Sequence, residues 1–396
     1  LATIGACLLL ACLFFLYEQR AVGCASRRIP IRIGVTGTRG KSTVTRLIAA
    51  VLREAGYSVL AKTTGSKPVL ILPDGSEVPV KRRGGARIIE QAKFLRLGAE
   101  LGVRALVAEL MSIQPECGRI ESRRILNPHI LAVTNVRLDH REEMGWTKEE
   151  IAASLASSIP PRATVVIPNA EFRKEFAAVA EQVGAKIIRV PRRNPGFNRD
   201  GSGVLPSDFF PEHVDLALAV AEILGIDERP ARTGLVKAKP DFGALKAWEA
   251  SLGDPPVPWL LVSAFAANEP ESTERIIQQL RKRPGIPERP LVGLLVFRPD
   301  RGDRTRQWIE ALDGGFFSGF ARVYFSGAHL NTLAMRKRRK RFEFLKPLAG
   351  NSPAAITDQI GAQEKGGGLL IGMGNMVGLG AALAGHWERI GRPHAL

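Results

Sequence analysis

The chain has 396 residues, 45% of them hydrophobic and 24% charged, enough apolar content for buried cores in about two or three domains. Its 56 Lys and Arg against 39 Asp and Glu leave a formal charge of +17, a field that attracts polyanions without choosing among nucleic acid, anionic lipid and acidic substrate. The four cysteines, Cys7, Cys12, Cys24 and Cys117, show neither metal-ligand spacing nor a disulfide framework, which excludes both of those classes and fits a reducing compartment.

Residues Leu1 to Tyr17 carry no charge. As a helix they would extend roughly 25 Å, marginal for a bilayer core. The chain begins at Leu1, so an initiator methionine and further apolar residues are expected before it. Arg20, Arg27 and Arg28 follow and no basic residue precedes, so the positive-inside rule places everything after position 20 in the cytoplasm. The expectation is one transmembrane helix over residues 1–20, anchoring a cytoplasmic catalytic part to the cell membrane. A signal peptide is the rival reading, because Ala21-Val22-Gly23-Cys24 resembles a lipoprotein cleavage site. Against it, no basic n-region is visible.

Next comes a β-branched run, Ile31 to Val35, then Gly37-Thr38-Arg39-Gly40-Lys41-Ser42-Thr43, then a helical pattern from Val44 to Leu52. Strand, glycine turn, Lys-Ser-Thr and helix build a phosphate cradle. The glycines let backbone N–H groups converge on anionic oxygens, and the new helix adds its positive end. Lys41 can reach the outer phosphates, and Ser42 or Thr43 can hold Mg²⁺. The general P-loop has four residues between its glycines, which would put the first at position 35, where Val35 stands. The short form could still be a chance turn at a helix start, but strand and helix flank it as the motif requires.

Strand and helix patterns then alternate. Strands are predicted at Tyr57–Ala61, Arg104–Glu109, Ile130–Thr134, Thr164–Ile167 and Lys186–Val190, with a hairpin over Val69–Val80. Helices are predicted at Ala86–Leu101, Lys148–Ser158, Phe172–Val183 and Pro211–Leu224. Such alternation argues a parallel sheet covered by helices. Arg192–Leu205 reads as an exposed loop and Lys237–Asp241 as a linker. A second series has strands near Trp259–Ser263, Leu291–Phe297, Val323–Ser326 and Leu369–Ile371.

Strand ends are where such sheets place ligands. Glu109 lies at one, and Asn135, Asp139 and His140 follow another. With Ser42 and Thr43 they offer carboxylate, hydroxyl and imidazole, a set that suits Mg²⁺ or Mn²⁺. Taken singly, Glu109 could be a cap or a buried ion-pair partner, and His140 a surface histidine.

Gly-Thr-Arg-Gly-Lys-Ser-Thr resembles the loop of Mur ligases and folylpolyglutamate synthases. Glu109-Leu110-Met111-Ser112 resembles their Glu-Leu-Ser-Ser segment, and Asn135 to Asp139-His140 their Asn-x-x-x-Asp-His. Val166 to Glu171 is similar to their Val-x-Asn-Ala-Asp-Asp. More narrowly, five further features resemble the ligase subunits of poly-γ-glutamate synthases. They are the anchor, the hairpin at Leu72 to Gly75, the segments Phe265 to Pro270 and Phe297 to Thr305, and Gly372-Met373-Gly374-Asn375.

The fold class implied is α/β: a P-loop, Mur-ligase-like ATPase domain over 21–238 and a smaller C-terminal α/β domain over 239–396, preceded by the transmembrane helix. The activity implied is ATP-dependent polymerisation of glutamate through γ-carboxyl links, by way of an acyl phosphate. Lys41 would stabilise the transferring phosphate, Ser42, Thr43 and Glu109 would hold one metal, and His140 a second. Gly37, Thr38, Arg39 and Gly40 complete the nucleotide cradle. Asn268, Arg298, Asp300, Arg301 and Arg304 would close over nucleotide or glutamate, unless their Arg and Asp residues form an internal ion-pair network. Implied partners are glutamate, poly-γ-glutamate and small membrane subunits of the export complex.

Two departures stand out. No UDP-binding domain separates anchor and loop, which argues against a UDP-muramyl substrate. The interval Arg141 to Asn169 holds only Lys148, too near its start to match the carbamylated lysine of many Mur ligases. The basic block Arg336 to Arg341 reads as a solvated face, a guide for anionic product or lipid, or a nucleic-acid site; no aromatic-interleaved motif accompanies it, so no nucleic acid partner is expected. The alternatives are a membrane-tethered P-loop ATPase or kinase that forms no amide bond, and a basic binding protein using ATP as a switch.

Overall fold

The computed structural model describes residues 2–396 except 66, 83, 194–208, 284, 287, 329–342, 349 and 351. The basic block at 336–341 and most of the expected loop at 192–205 therefore lie outside the described residues. The chain divides into two compact units, Leu1–Asp241 and Phe242–Leu396.

The first unit opens with helix α1 (Ala2–Arg28), strand β1 (Ile31–Thr36), α2 (Lys41–Glu54) and β2 (Val59–Lys62). A hairpin, β3 (Val69–Ile71) and β4 (Glu77–Pro79), precedes α3 (Ile89–Glu100) and β5 (Ala105–Glu109). Then come α4 (Pro115–Arg119), a π-helix over Ile120–Leu126, β6 (Ile130–Val133), α5 (Arg141–Met144) and α6 (Lys148–Ala156). The unit closes with β7 (Thr164–Pro168), α7 (Lys174–Val183), β8 (Lys186–Val190), α8 (Pro211–Ile223) and α9 (Glu228–Lys237).

Its eight strands run in the order β4-β3-β2-β5-β1-β6-β7-β8. The pairs from β2 to β8 are parallel, while β3 and β4 add an antiparallel edge. Parallel strands are covered on both faces, so they read as continuous apolar runs; β1, β5 and β6 are buried accordingly. Register fixes what meets at the strand ends. Val35 sits opposite Glu109, and Thr36 opposite Val133. The segments that follow, at 37, 110 and 134, thus emerge side by side where the sheet order reverses, the usual ligand crevice of such sheets.

The sequence patterning ends the apolar helix at position 20; in the structure α1 continues to Arg28. Glu18 and Arg20 are charges that a helix tolerates, and Pro30 is the first residue that stops it. Arg32 then caps the helix end, donating from Nη1 to the Ser26 carbonyl at 2.6 Å and the Ile29 carbonyl at 2.8 Å.

The second unit holds β9 (Lys246–Leu252), β10 (Val257–Ser263), α10 (Pro270–Leu280), β11 (Leu291–Phe297), α11 (Gly302–Asp313) and β12 (Arg322–Gly327). It ends with β13 (Leu345–Pro347), α12 (Pro353–Gln363), β14 (Gly368–Gly374), α13 (Ala381–Ile390) and β15 (Arg392–His394). The order is β13-β12-β11-β14-β10-β9-β15, with β9 and β15 antiparallel. Trp248, Trp259, Trp387 and Phe265 build its core.

Candidate active site

The cradle forms where β1 turns into α2. Gly37 has φ 126° and Gly40 φ 75°, the left-handed region that favours glycine. Space demands glycine too: a Cβ on Gly37 would collide with the Thr134 hydroxyl, and one on Gly40 with the His213 imidazole. Gly40 occupies the N-cap of α2 and no side chain caps it. The first-turn N–H groups are thus left for an anion.

Segment 134–137 braces the loop. Asn135 Oδ1 accepts from the Thr38 hydroxyl at 2.7 Å and the Arg39 amide at 2.9 Å. Its Nδ2 donates to the Arg39 carbonyl at 3.2 Å, and the Arg137 amide donates to Thr38 Oγ1 at 2.9 Å. Lys41 Nζ donates to the Gly37 carbonyl at 2.7 Å, which holds the ammonium over the loop. Desolvation pushes Lys41 below its ordinary pKa, with the Glu109 carboxylate opposing that shift.

Glu109 is 2% exposed. Its Oε2 accepts from the Ser42 hydroxyl at 2.8 Å and the Thr64 amide at 2.7 Å. Gln91 Nε2 donates to the Glu109 carbonyl at 2.9 Å and to Glu121 Oε1 at 2.7 Å. Glu121 in turn accepts from the amides of Met111 and Ser112, both at 2.9 Å. Buried Lys62 pairs with Glu90 at 3.2 Å; burial pushes its ammonium down and Glu90 works against that. The whole segment 109–112 is therefore pinned from below.

His140 follows β6 whereas Glu109 ends β5, and these two strands flank β1 on opposite sides. It adopts φ 50° at the N-cap of α5. Its Nε2 lies 3.6 Å from Asp139 Oδ2, and the same carboxylate oxygen pairs with Arg39 Nη2 at 3.0 Å. Arg137 clasps Glu171 with contacts of 2.6 and 2.8 Å, both side chains buried.

A metal can be fitted to this donor set. Ser42 Oγ and the buried Glu109 carboxylate are adjacent hard oxygens, the type Mg²⁺ and Mn²⁺ prefer alongside phosphate oxygens. Among the described residues no three His, Cys, Asp or Glu side chains converge, so hydroxyl and phosphate oxygens would have to complete the shell.

The remaining expected residues belong to the second unit. Arg304 is 6% exposed and donates to Asn375 Oδ1 at 3.0 Å; the Asn268 carbonyl accepts from Trp308 Nε1 at 3.1 Å. Arg298 clasps Asp300 at 2.9 and 2.5 Å, and Arg301 clasps Asp303 at 3.0 and 2.8 Å. The hydrogen bonds from Arg298 hold the Asp300 carboxyl below its usual range.

Several contributors carried no sequence signal of their role. His213, Gln91 and Glu121 act on residues distant along the chain, with no local motif to mark them. Glu171 lies in the quoted Val166–Glu171 segment, yet only the fold reveals Arg137 as its partner.

A glycine cradle, a hydroxyl–carboxylate pair and two α/β units define an ATP-dependent, amide-forming ligase of the Mur ligase type, and the Mur ligase middle domain profile matches residues 35–200. The chain belongs to the CapB family of poly-γ-glutamate synthases. Residues 252–390 match the poly-gamma-glutamate synthase CapB C-terminal domain. The chain is 36% identical to the capsule biosynthesis protein CapB of Bacillus anthracis over 78% of its own length and 66% of that protein's. It is 36% identical to the PGA synthase CapB of Bacillus subtilis, covering 71% of each. In fold it resembles E. coli FolC in complex with DHPP and ADP, with TM-score 0.68 and 17% identity over 94% of this chain and 92% of that one. A bifunctional folylpolyglutamate synthase/dihydrofolate synthase from Yersinia pestis, complexed with AMPPNP and Mn ion, gives TM-score 0.66 and 16% identity over 93% of each chain.

Proposed function

We propose that this chain joins glutamate residues through their γ-carboxyl groups at the expense of ATP, building poly-γ-glutamate. The observation that carries the reading is Ser42 bonded to Glu109 beside Lys41, in a chain related to CapB proteins across both units.

The loop amides and the α2 N-terminus receive the phosphates. Lys41 offsets charge on the transferring phosphoryl group. Ser42, Thr43 and Glu109 would hold one divalent ion and His140 a second; when bound, Mg²⁺ or Mn²⁺ neutralises negative charge in the in-line transfer. The acceptor's carboxylate oxygen attacks the γ-phosphorus and ADP leaves. The incoming amine then attacks the acyl carbon, loses a proton, and phosphate leaves. Asn268, Arg298, Asp300, Arg301 and Arg304 contribute to binding nucleotide or glutamate, with local Arg–Asp pairs available to open toward a carboxylate or phosphate.

Helix α1 anchors the chain in the cell membrane, with the catalytic part on the cytoplasmic side and small membrane subunits carrying the anionic product outward. The exposed apolar residues of α1 support this. The test is incorporation of radiolabelled glutamate into high-molecular-weight material by membranes containing the partner subunits. The expected result is polymer and ADP in step. ADP release indifferent to glutamate in that complete system would overturn the ligase reading in favour of a tethered ATPase.

A further inference from the structure

We propose that α1 is a docked strut, not a tether: Glu18 to Ile29 are built into the ligase unit while the apolar stretch before them sits in a phospholipid bilayer. The unit is thereby held against the lipid head groups in one orientation. The inference rests on the membrane reading above and adds how the anchor is coupled to the site.

The helix changes character at one residue. The large apolar side chains of Ile4 to Tyr17 are 49–66% exposed, an arrangement that water penalises and hydrocarbon does not. Glu18, the first charged residue, is already engaged by Arg96 at 2.9 and 3.4 Å. From there positions 18, 21, 22, 23, 25, 26 and 29 are covered while 19, 20, 24, 27 and 28 stay exposed; 18, 22, 25 and 29 among the covered ones recur at the spacing of one helix face. Ala25 is 3% and Ile29 0% exposed, both in the cluster that holds Phe94, Leu95 and Leu106. The edge of the apolar run and the edge of the folded unit therefore coincide.

A tether needs a flexible segment, and none is present here. Only Ile29 and Pro30 separate α1 from β1. Arg32 ties the helix end to the sheet, donating to the carbonyls of Ser26, Ile29, Leu126 and Asn127. β1 then runs straight into Gly37 of the cradle. Cleavage ahead of Cys24 would strip Glu18 from Arg96 and Val22 from the packed face, so the signal-peptide reading conflicts with the docking.

The test uses the full chain in vesicles of phosphatidylglycerol and phosphatidylethanolamine. Trypsin reads the docking at the native Arg20, Arg27 and Arg28. These bonds should be cut about ten-fold more slowly than in Ala25→Glu, whose buried carboxylate opens the interface; equal rates overturn the docking. Should Ala25→Glu misfold, Glu18→Cys/Arg96→Cys with the native cysteines changed to serine answers the same question. A short bis-maleimide should link that pair, and no link where Arg46→Cys/Glu77→Cys is linked overturns the docking. Flotation reads the lipid half separately. A chain that does not float with the vesicles overturns the bilayer seat and the proposed location, whereas loss of glutamate incorporation alone would overturn the ligase reading.

Discussion

The Ser42 hydroxyl donates to the Glu109 carboxylate at 2.8 Å, joining the start of α2 to the end of β5 across 67 positions of sequence. Glu109→Gln keeps the shape and an oxygen acceptor but removes the charge a divalent ion needs. The expected outcome is a fall of about 100-fold in ADP release with a raised Mg²⁺ requirement. A Mg²⁺ titration of ADP release checks it; an unchanged Mg²⁺ dependence would remove Glu109 from the metal set.

Lys41 is held over the loop by the Gly37 carbonyl. Lys41→Ala deletes a charge without emptying a core, so melting should stay near that of the parent while turnover is lost. Polymer formation by the variant would refute the cradle assignment.

Gly40→Ala tests the cradle's shape. The new methyl meets the His213 ring at a residue with φ 75°. A non-glycine side chain there costs roughly 1–2 kcal/mol before the clash is counted. Melting should drop and ATP affinity with it. Adding His213→Ala should recover part of the loss, as a double-mutant cycle would measure.

His213 also sets a pH dependence. Burial pushes its pKa down to about 4 from the ordinary 6.5, so the folded chain keeps it neutral where an unfolded chain would protonate it. Between those values the unfolded state binds more protons. Stability contributed by this group is therefore whole above about pH 6.5 and is lost as pH falls to about 4, amounting to roughly 3 kcal/mol. Denaturant melts of the parent and of His213→Gln at pH 7 and pH 4.5 should converge as the pH is lowered; parallel behaviour would show that His213 is not the titrating group.

Arg137 and Glu171 form a buried two-contact pair. Glu171→Ala leaves the guanidinium uncompensated, and the expected loss is about 3–5 kcal/mol. Arg137→Met/Glu171→Leu should be much less damaging than either single change. Denaturant midpoints of the three variants decide this.

The first unit was readable because its central strands β1, β5 and β6 are short apolar runs that lead to Gly37, Glu109 and Asn135, residues that name the ligand edge. Strand β9 was not. Its Lys246–Leu252 sequence carries Ala, Glu and Leu of good helix propensity, and only pairing with β10, with Trp248 in the core, makes it extended. The supports of the site were hidden for a related reason. Gln91 reaches Glu109 and Glu121, and His213 lies under Gly40; each acts across a fold that had to exist first. The docked half of α1 was hidden likewise, because Glu18 at the close of the apolar run carries no local sign of a partner. Its partner Arg96 lies 78 positions on.

The bonds from Asn135 to Thr38 and Arg39 span 97 and 96 positions. The nucleotide cradle is thus not a local motif that folds by itself. Gly37 to Thr43 leave the ribosome with the right letters, but their shape is borrowed from a strand end synthesised almost a hundred residues later. Until β6 has joined the sheet beside β1, a nascent chain carries the sequence of a phosphate loop without the loop. Nucleotide can therefore stabilise only a unit already assembled past position 137, and ATP acts on this fold as a late clasp, not as a template.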